Sequence, residues 1–390
     1  MGYLGNQITT TFPSSVTVDK INDVTYVPNP ASGQITGRRN IIINGAMNVA
    51  QRGTSATTMT NAYATVDRFR GFSNGGGAFT GEQYSMNASD IASTGQRKAL
   101  KVLVSTADSS IASADYYAIQ HKLEGDDLQH LKYGTSSAET MTISFFVKSD
   151  TTGTYFFTVD KIANGQTAYR LPQEFTISSA DTWEKKTLTI SPTAGSTSFI
   201  TSSAGVIGGG TGHGMSLYWG FAWGTDYHGT NNTWGTGTYG TNATANGFMS
   251  TVGNEFFLTG VQLEVGEVTN PIFEHRSFGD ELLLCQRYFQ KSYNYGDAIG
   301  NTSNTNGFYA FQIDDGAIQR DGVRLTQTMR TNPTIVVYNP VTGASGSTRT
   351  NASANISTSV YQIGENGYFT DYTPSSGEFL QFHHTADAEL

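Results

Sequence analysis

The sequence predicts an all-β protein: a jelly-roll or other β-sandwich, then one short helix and a small C-terminal β region. Three observations support this. Charged residues make up 14% of the 390, against roughly 25% in ordinary soluble domains, and Thr, Ser, Asn and Gly supply the missing polarity. Before residue 265, about ten short apolar or alternating runs are separated by turn-forming residues. Only one clear helical period occurs, and it comes late.

Residues 1–36 carry scattered Val, Ile and Tyr with Pro13, Pro28 and Pro30 and no sustained period. They read as a tail without fixed structure in the isolated chain, with Tyr3, Leu4, Ile8 and Phe12 as apolar anchors for a partner. The run Asn40-Ile-Ile-Ile-Asn44 ends at an Asn-Gly turn signal and reads as a first strand. Strands follow at 66–72, 98–104, 117–123, 141–148, 155–159, 175–177, 183–190, 215–223 and 255–263, with a short helix at 126–132. Ser277 and Asp280 then stand three apart like a capping box. Phe278, Leu282, Cys285 and Phe289 recur at spacings of four, three and four, predicting a helix to about Lys291. Its wide apolar arc fits two placements, against the sandwich or beside copies of itself. Beyond residue 300, strands are expected at 308–313, 334–338, 360–363, 368–372 and 379–383. So polar a segment has a thin core, which predicts that it shares its core with neighbouring chains.

Charge and motifs exclude several functions. Lys and Arg number 23 against 32 Asp and Glu, a net charge of −9, which argues against nucleic acid as a partner. No apolar run approaches 18 residues, so no membrane insertion is expected. MGYLGN has no basic and apolar signal regions, and a single cysteine, Cys285, predicts folding in a reducing cytosol. Such a composition fits a particle assembled inside a cell and released from it. No phosphate-loop, His-Glu-x-x-His or Gly-x-Ser-x-Gly motif occurs. The glycines of 208–214 precede a strand and read as a loop, not a phosphate cradle. His383 and His384 point to opposite faces of one strand, so they do not form a site within one chain; only a metal shared by three copies on an axis would use them. Glu264, Glu267, Glu274, Asp314, Asp315 and Asp321 read as solvated turn and strand-end acids. No cofactor, metal or catalytic residue is expected.

The most suggestive cluster is aromatic. Three of the four tryptophans fall within 219–234. A strand at 215–223 places Met215, Leu217, Trp219, Phe221 and Trp223 on one face, mostly as core. The loop at 226–246 sets Tyr227, Trp234 and Tyr239 among Gly, Thr and Asn, with no core to enter in that register. Aromatic planes beside neutral hydrogen-bonding groups suit sugar rings, so Trp223, Tyr227, Trp234 and Tyr239 are the candidate carbohydrate-binding residues. The alternative is a loop folded onto its own aromatics or onto a neighbouring subunit. Tyr338, Tyr361, Tyr368 and Tyr372 form a competing aromatic set at the C-terminal tip.

The segment Asn40-Ile-Ile-Ile-Asn-Gly-Ala-Met-Asn-Val-Ala-Gln-Arg-Gly53, with Val66-Asp-Arg-Phe69, resembles the start of a module of bacteriophage tail-fibre and appendage proteins. Phe257-Leu-Thr-Gly-Val-Gln-Leu-Glu-Val-Gly266, Pro271-Ile-Phe-Glu274, Leu284-Cys-Gln-Arg-Tyr288 and Phe382-His-His-Thr-Ala-Asp-Ala-Glu-Leu390 follow in the same order. The resemblance covers residues 37–390 and is loose over 1–36. It implies a virion-attachment segment at 1–36, a jelly roll similar to carbohydrate-binding modules at 37–274, a connecting helix at 275–296 and a β tip at 297–390. It also implies a homotrimer, with Phe278, Leu282, Cys285 and Phe289 at a subunit junction, and it supplies no catalytic residues. The expected function is a non-enzymatic virion fibre, assembled in the host cytoplasm. It would join other tail or neck proteins through its N-terminal segment and bind host-surface glycan by avidity. The alternatives are a purely structural collar, neck or adaptor fibre and a capsular polysaccharide depolymerase.

Overall fold

Period-two alternation of apolar and polar residues leaves each strand one greasy face, and two sheets bury those faces against each other. The computed structural model describes residues 39–162, 167–241, 246–302, 307–312, 319–350, 355–372 and 379–390, together with the short pair Lys20–Ile21 and Val24–Thr25. The first ten principal strands are β1 (Phe69–Asn74), β2 (Ala78–Ser85), β3 (Lys98–Thr106), β4 (Tyr116–Glu124) and β5 (Met141–Ser149), then β6 (Gly153–Lys161), β7 (Tyr169–Ile177), β8 (Glu184–Ile190), β9 (His213–Trp223) and β10 (Glu255–Val265). One sheet runs β7-β6-β9-β4-β1, and the other β8-β5-β10-β3-β2, edged by Thr57–Thr58. The chain switches sheets repeatedly and all pairs in both are antiparallel, giving a jelly-roll sandwich. Trp219 lies near the middle of the core, its ring centroid within 6.0 Å of those of Phe69, Phe145 and Phe157.

Two of the sandwich's main elements were not expected. β2 has Gly81 at its centre, where a Cβ would fall 2.0 Å from Met59 Sδ. Helix α1 (Ala88–Thr94) has a capping box built from Asn87 and Asp90 and ends at Gly95. The Asn40–Asn44 run, expected as a strand, is irregular. It lies along β10 beyond the point where β3 stops pairing, but one rung of its ladder is a side chain: Asn40 Oδ1 accepts from Leu263 N at 3.1 Å. Ile41 N donates to Leu263 O and Val261 N to Gly45 O. Only glycine fits at Gly45, since a Cβ there would sit 2.0 Å from Val261 O.

Helix α2 (Phe278–Gln286) is shorter than its apolar period suggests. Arg287 is drawn onto Glu124 by bonds of 2.9 and 2.8 Å, and Phe289 opens β11 (Phe289–Lys291) instead of continuing the helix. After it come β12 (Tyr309–Gln312), β13 (Gln319–Arg324), β14 (Thr334–Tyr338), β15 (Ser347–Thr350), β16 (Ser359–Gly364), β17 (Gly367–Tyr372) and β18 (Phe379–Asp387). β18 is the hub, pairing with β11, β12, β14 and β15, while β13-β17-β16 form a separate sheet. The core here is small, centred on Val323, Val337, Tyr368, Leu380 and Phe382.

A buried charge cluster joins the sandwich to this region. Arg68 is fully enclosed and has a left-handed backbone, φ +73°, a conformation that costs about 1–2 kcal/mol for a residue of this size. Its guanidinium pairs with Glu389, donates to Lys122 O at 2.7 Å and lies 3.4 Å over the Tyr288 ring. Arg52 stacks 3.8 Å over Phe289 and reaches Asp387 at 3.0 Å and Glu389 at 3.4 Å. Asp67 accepts from Gln51 N and Nε2 at 2.9 and 2.6 Å, yet burial pushes its carboxyl up to about 6. Cys285 packs on Ile43, Val49 and Tyr288 of its own chain.

Replacing Arg68 by Met removes the closer of the two cations on buried Glu389 and leaves it only Arg52, at 3.4 Å. The variant is expected to lose about 3–5 kcal/mol in urea unfolding, and adding Glu389→Gln should restore part of the loss. Acid is expected to weaken the C-terminal region. Burial, then the charge on His383, pushes His384 down to about 3, and burial pushes His383 to about 4. Folding therefore favours the neutral rings. The stability they contribute is full above about pH 6.5 and declines as pH falls toward 4 and 3. Melting curves at pH 7.5 and 4.5 should show the drop, and His384→Phe should reduce it.

Candidate functional site

Strand register sorts the outer face of the five-stranded sheet into rows. Lys122, Ser216, Asp160 and Arg170 form one, and Arg70, Gln120, Tyr218, Thr158 and Pro172 the next. Phe72, Ala118, Gly220, Phe156 and Glu174 make a third, and Asn74, Tyr116 and Trp223 a fourth. Half of the face is thus polar and half aromatic.

A bulge at Gly220–Ala222 in β9 breaks the alternation. Ala222 turns to the core and Trp223 turns outward, although unbroken alternation puts Trp223 on the Trp219 face. Trp223 then lies across two glycines: a Cβ on Gly220 would sit 2.1 Å from its Nε1, and one on Gly240 2.7 Å from its ring. Its neighbours form a stack. Phe72 stacks on Tyr116 at 4.5 Å, Tyr116 on Trp223 at 6.0 Å, and Trp223 on Tyr239 at 5.0 Å. Arg170 covers Tyr239 at 4.2 Å and pairs with Asp160 at 3.2 Å. Burial raises the Asp160 carboxyl above the usual range, opposed by Arg170.

This arrangement decides what each candidate residue can do. Tyr239, held between Trp223 and Arg170, keeps no open ring face for a sugar. Trp223 is 4% exposed. Tyr227 is half-buried and edge-on to Tyr116 at 5.5 Å. Trp234 is 1% exposed and belongs to the core, with its indole N–H on Ser191 O at 2.8 Å. Paired Arg170–Gly235 backbone bonds of 2.8 and 2.9 Å hold its loop on the edge of β7, so Trp234 enters a core that the register reading did not offer it. The loop closes on its own aromatics.

Beside Trp223, at the end of the sandwich, a cleft of about 290 Å³ remains open. Ile111, Ala222, Trp223 and Met249 give it apolar walls, and Asp108, Thr225 and Ser250 a polar rim. Asp108 is held by Tyr117 Oη at 2.6 Å, and its backbone N–H donates to Met249 O at 2.7 Å. His228, also in the lining, bonds Trp223 O through Nε2 at 2.9 Å. Of these residues sequence reasoning singled out Trp223 alone. Asp108 and Met249 lie far apart in the chain, and nothing local marks them as neighbours.

The residues expected at a subunit junction divide. Phe289 is buried under Arg52, Cys285 is enclosed by its own chain and Leu282 is partly buried beside it. Neither Phe289 nor Cys285 faces outward, because the helix ends before Phe289 and its Cys285 side packs on the sandwich. Phe278 and Leu283 are each 47% exposed. Glu264 and Glu274, expected as solvated, are engaged: Glu264 pairs with Arg39 at 3.1 Å, and Glu274 accepts from Arg39 N and Asn40 N. Gly210 N donates to Asp126 Oδ1, placing a carboxylate where a phosphate cradle would hold its anion. His383 stacks on Tyr293 at 3.8 Å. At the tip, Tyr368 is buried, Tyr361 packs on Phe369, and Tyr338 lies 6.2 Å from Tyr293. Asp314 and Asp315 and the Asp321 and Tyr372 side chains lie outside the described residues. Among the described residues, no three His, Cys, Asp or Glu side chains gather as metal ligands.

No protein-family model matches the chain, and no curated protein sequence matches it. Among solved structures, the family 11 carbohydrate-binding module of a cellulosomal cellulase of Clostridium thermocellum is 12% identical, with 58% of this chain and 99% of that one covered and a TM-score of 0.29. The xylan-binding domain CBM22-1 of Paenibacillus barcinonensis is 10% identical, covering 56% and 99% at a TM-score of 0.23. The enzymatically active domain of bacteriophage CBA120 tailspike protein 4 is 9% identical; 58% of this chain and 21% of that one are covered, at a TM-score of 0.30. At such scores these likenesses assign nothing to this chain.

Because Trp234 is core, Trp234→Ala is expected to cost about 3–5 kcal/mol of unfolding stability in a urea titration. A variant as stable as the parent would contradict its placement.

Proposed function

We propose that the chain is a non-enzymatic glycan-binding protein, a homotrimeric bacteriophage fibre component that seats a sugar in the loop-end cleft beside Trp223. The observation that carries this reading is the cleft itself. Apolar walls from Ile111 and Met249 with the small open part of Trp223, under a rim of hydroxyl and carboxylate groups, match the C–H faces and hydroxyls of a pyranose. A site this small binds weakly alone, and three on one stalk, multiplied over several fibres, raise the effective affinity without a new contact. The fibre role rests on the motifs at Asn40–Gly53, Val66–Phe69, Leu284–Tyr288 and the C-terminal strand. The trimer rests on the small C-terminal core and the exposed Phe278 and Leu283, with residues 1–36 left to join other virion tail or neck proteins.

A purely structural fibre is the second reading, and the self-contained aromatic stack favours it. The two separate on a glycan array with Thr225→Trp, a rim change that fills the cleft. Binding is expected to fall at least about tenfold with the melting temperature unchanged, against the parent's signal. Undiminished binding would remove the cleft from the account, and sedimentation of the parent at micromolar concentration should give a trimer.

A further inference from the structure

The cleft is lined by the loops 106–116 and 223–254 (described at 223–241 and 246–254), at the end of the sandwich that also carries loops 74–78, 149–153 and 177–183. Register and hydrogen bonds place them together. Tyr116 pairs with Trp223, and Gly153 with Ile177. Gly224 N donates to Asp115 O, and Asp181 N to Ser149 O. Asp108 N meets Met249 O.

These loops contain Asp108, Asp115, Asp150, Asp181 and Asp226 and not one lysine or arginine. Asp115 accepts from Ala112 N, Asp226 from Ser113 Oγ, Asp150 from Glu255 N, and Asp108 from Ser110 N and Tyr117 Oη. These donors are neutral, and none of the five carboxylates enters an ion pair among the described residues. The paired cations lie outside these loops: Arg39, Arg52, Arg68, Arg276 and Arg287 at the junction with helix α2 and the C-terminal strand, and Lys101, Lys132, Lys148, Arg170 and Lys186 on the sandwich, each paired with a carboxylate. The loop end therefore presents one sign of charge around a cleft whose own rim includes the carboxylate of Asp108.

We infer that the cleft takes uncharged glycans and rejects those bearing carboxylate, sulfate or phosphate. An anionic sugar would meet the carboxylate of Asp108 in the lining and no lysine or arginine in these loops; the one imidazole of the lining, His228, is bonded through Nε2 to Trp223 O. Repulsion between like charges reaches about 8 Å at physiological ionic strength. A neutral pyranose needs only donors for the carboxylate of Asp108, contacts for the hydroxyls of Thr225 and Ser250, and a surface for its C–H face. Neutral binding should thus be insensitive to salt.

This inference rests on the proposed glycan binding, and the experiment keeps the two apart. The full chain is applied to arrayed neutral, N-acetylated, sialylated, uronate and phosphorylated glycans in about 50 and 500 mM NaCl. The expected result is neutral or N-acetylated signals at least about tenfold above every anionic class at low salt, with the neutral signals equal at both salts. In Asp115→Lys/Asp226→Lys the anionic signals should rise while neutral ones hold. Strongest binding to sialylated, uronate or phosphorylated glycans would overturn the inference and leave glycan binding standing. Silence across all classes would overturn both.

Discussion

The guanidinium of Arg68 is enclosed by groups from three distant parts of the chain. It pairs with Glu389 near the C-terminus, bonds the Lys122 carbonyl in β4 and lies on Tyr288 just after α2, while Arg68 itself leads into β1. A buried cation is tolerated only when its charge is met, and Glu389, the Lys122 carbonyl and the Tyr288 ring meet this one, so these segments are bound to one geometry. The strained backbone at Arg68 persists because that geometry over-determines it. Arg52, stacked on Phe289 and paired with Asp387 and Glu389, adds a second tie between the same partners.

The motifs that suggest a fibre module meet at or beside this point. Asn40 and Gly45 pair with β10; Glu274 accepts the Arg39 and Asn40 amides; Asp67 holds Gln51; Cys285 packs on Ile43 and Val49; Glu389 meets Arg68. Short strings scattered over the sequence are thus the parts of one interaction network. Their residue types follow from the contacts: glycine where two backbones approach, asparagine where a side chain replaces a ladder rung, and arginine where a planar cation must both stack and pair.

Much of the sandwich was legible because alternating strands with turn residues between them need no long-range knowledge. β14 and the centres of β3, β4, β5 and β9 fall where their patterns place them. β2 escaped because Gly81, required by Met59, interrupts its apolar face. α1 escaped because seven residues are too few to display a period. The candidate site was only half legible. A tryptophan-rich strand and loop pointed to the end of the sandwich where the cleft lies. Yet the bulge that turns Trp223 outward and the backbone pairing that sends Trp234 into the core are tertiary facts. The cleft joins loops more than a hundred residues apart, and its charge became readable only when those loops were brought together.

The same wiring divides the molecule by charge. The buried arginines are spent inside the junction, and the loops at the opposite end of the sandwich hold carboxylates without lysine or arginine. Native-state hydrogen exchange tests the central claim that the buried Arg68 cluster makes the sandwich and the C-terminal strand one cooperative unit. Amides of β1, β4, β11 and β18 should exchange with one common opening free energy and respond together to urea. If β11 and β18 open well below the free energy of β4, the cluster does not couple them and the account is contradicted.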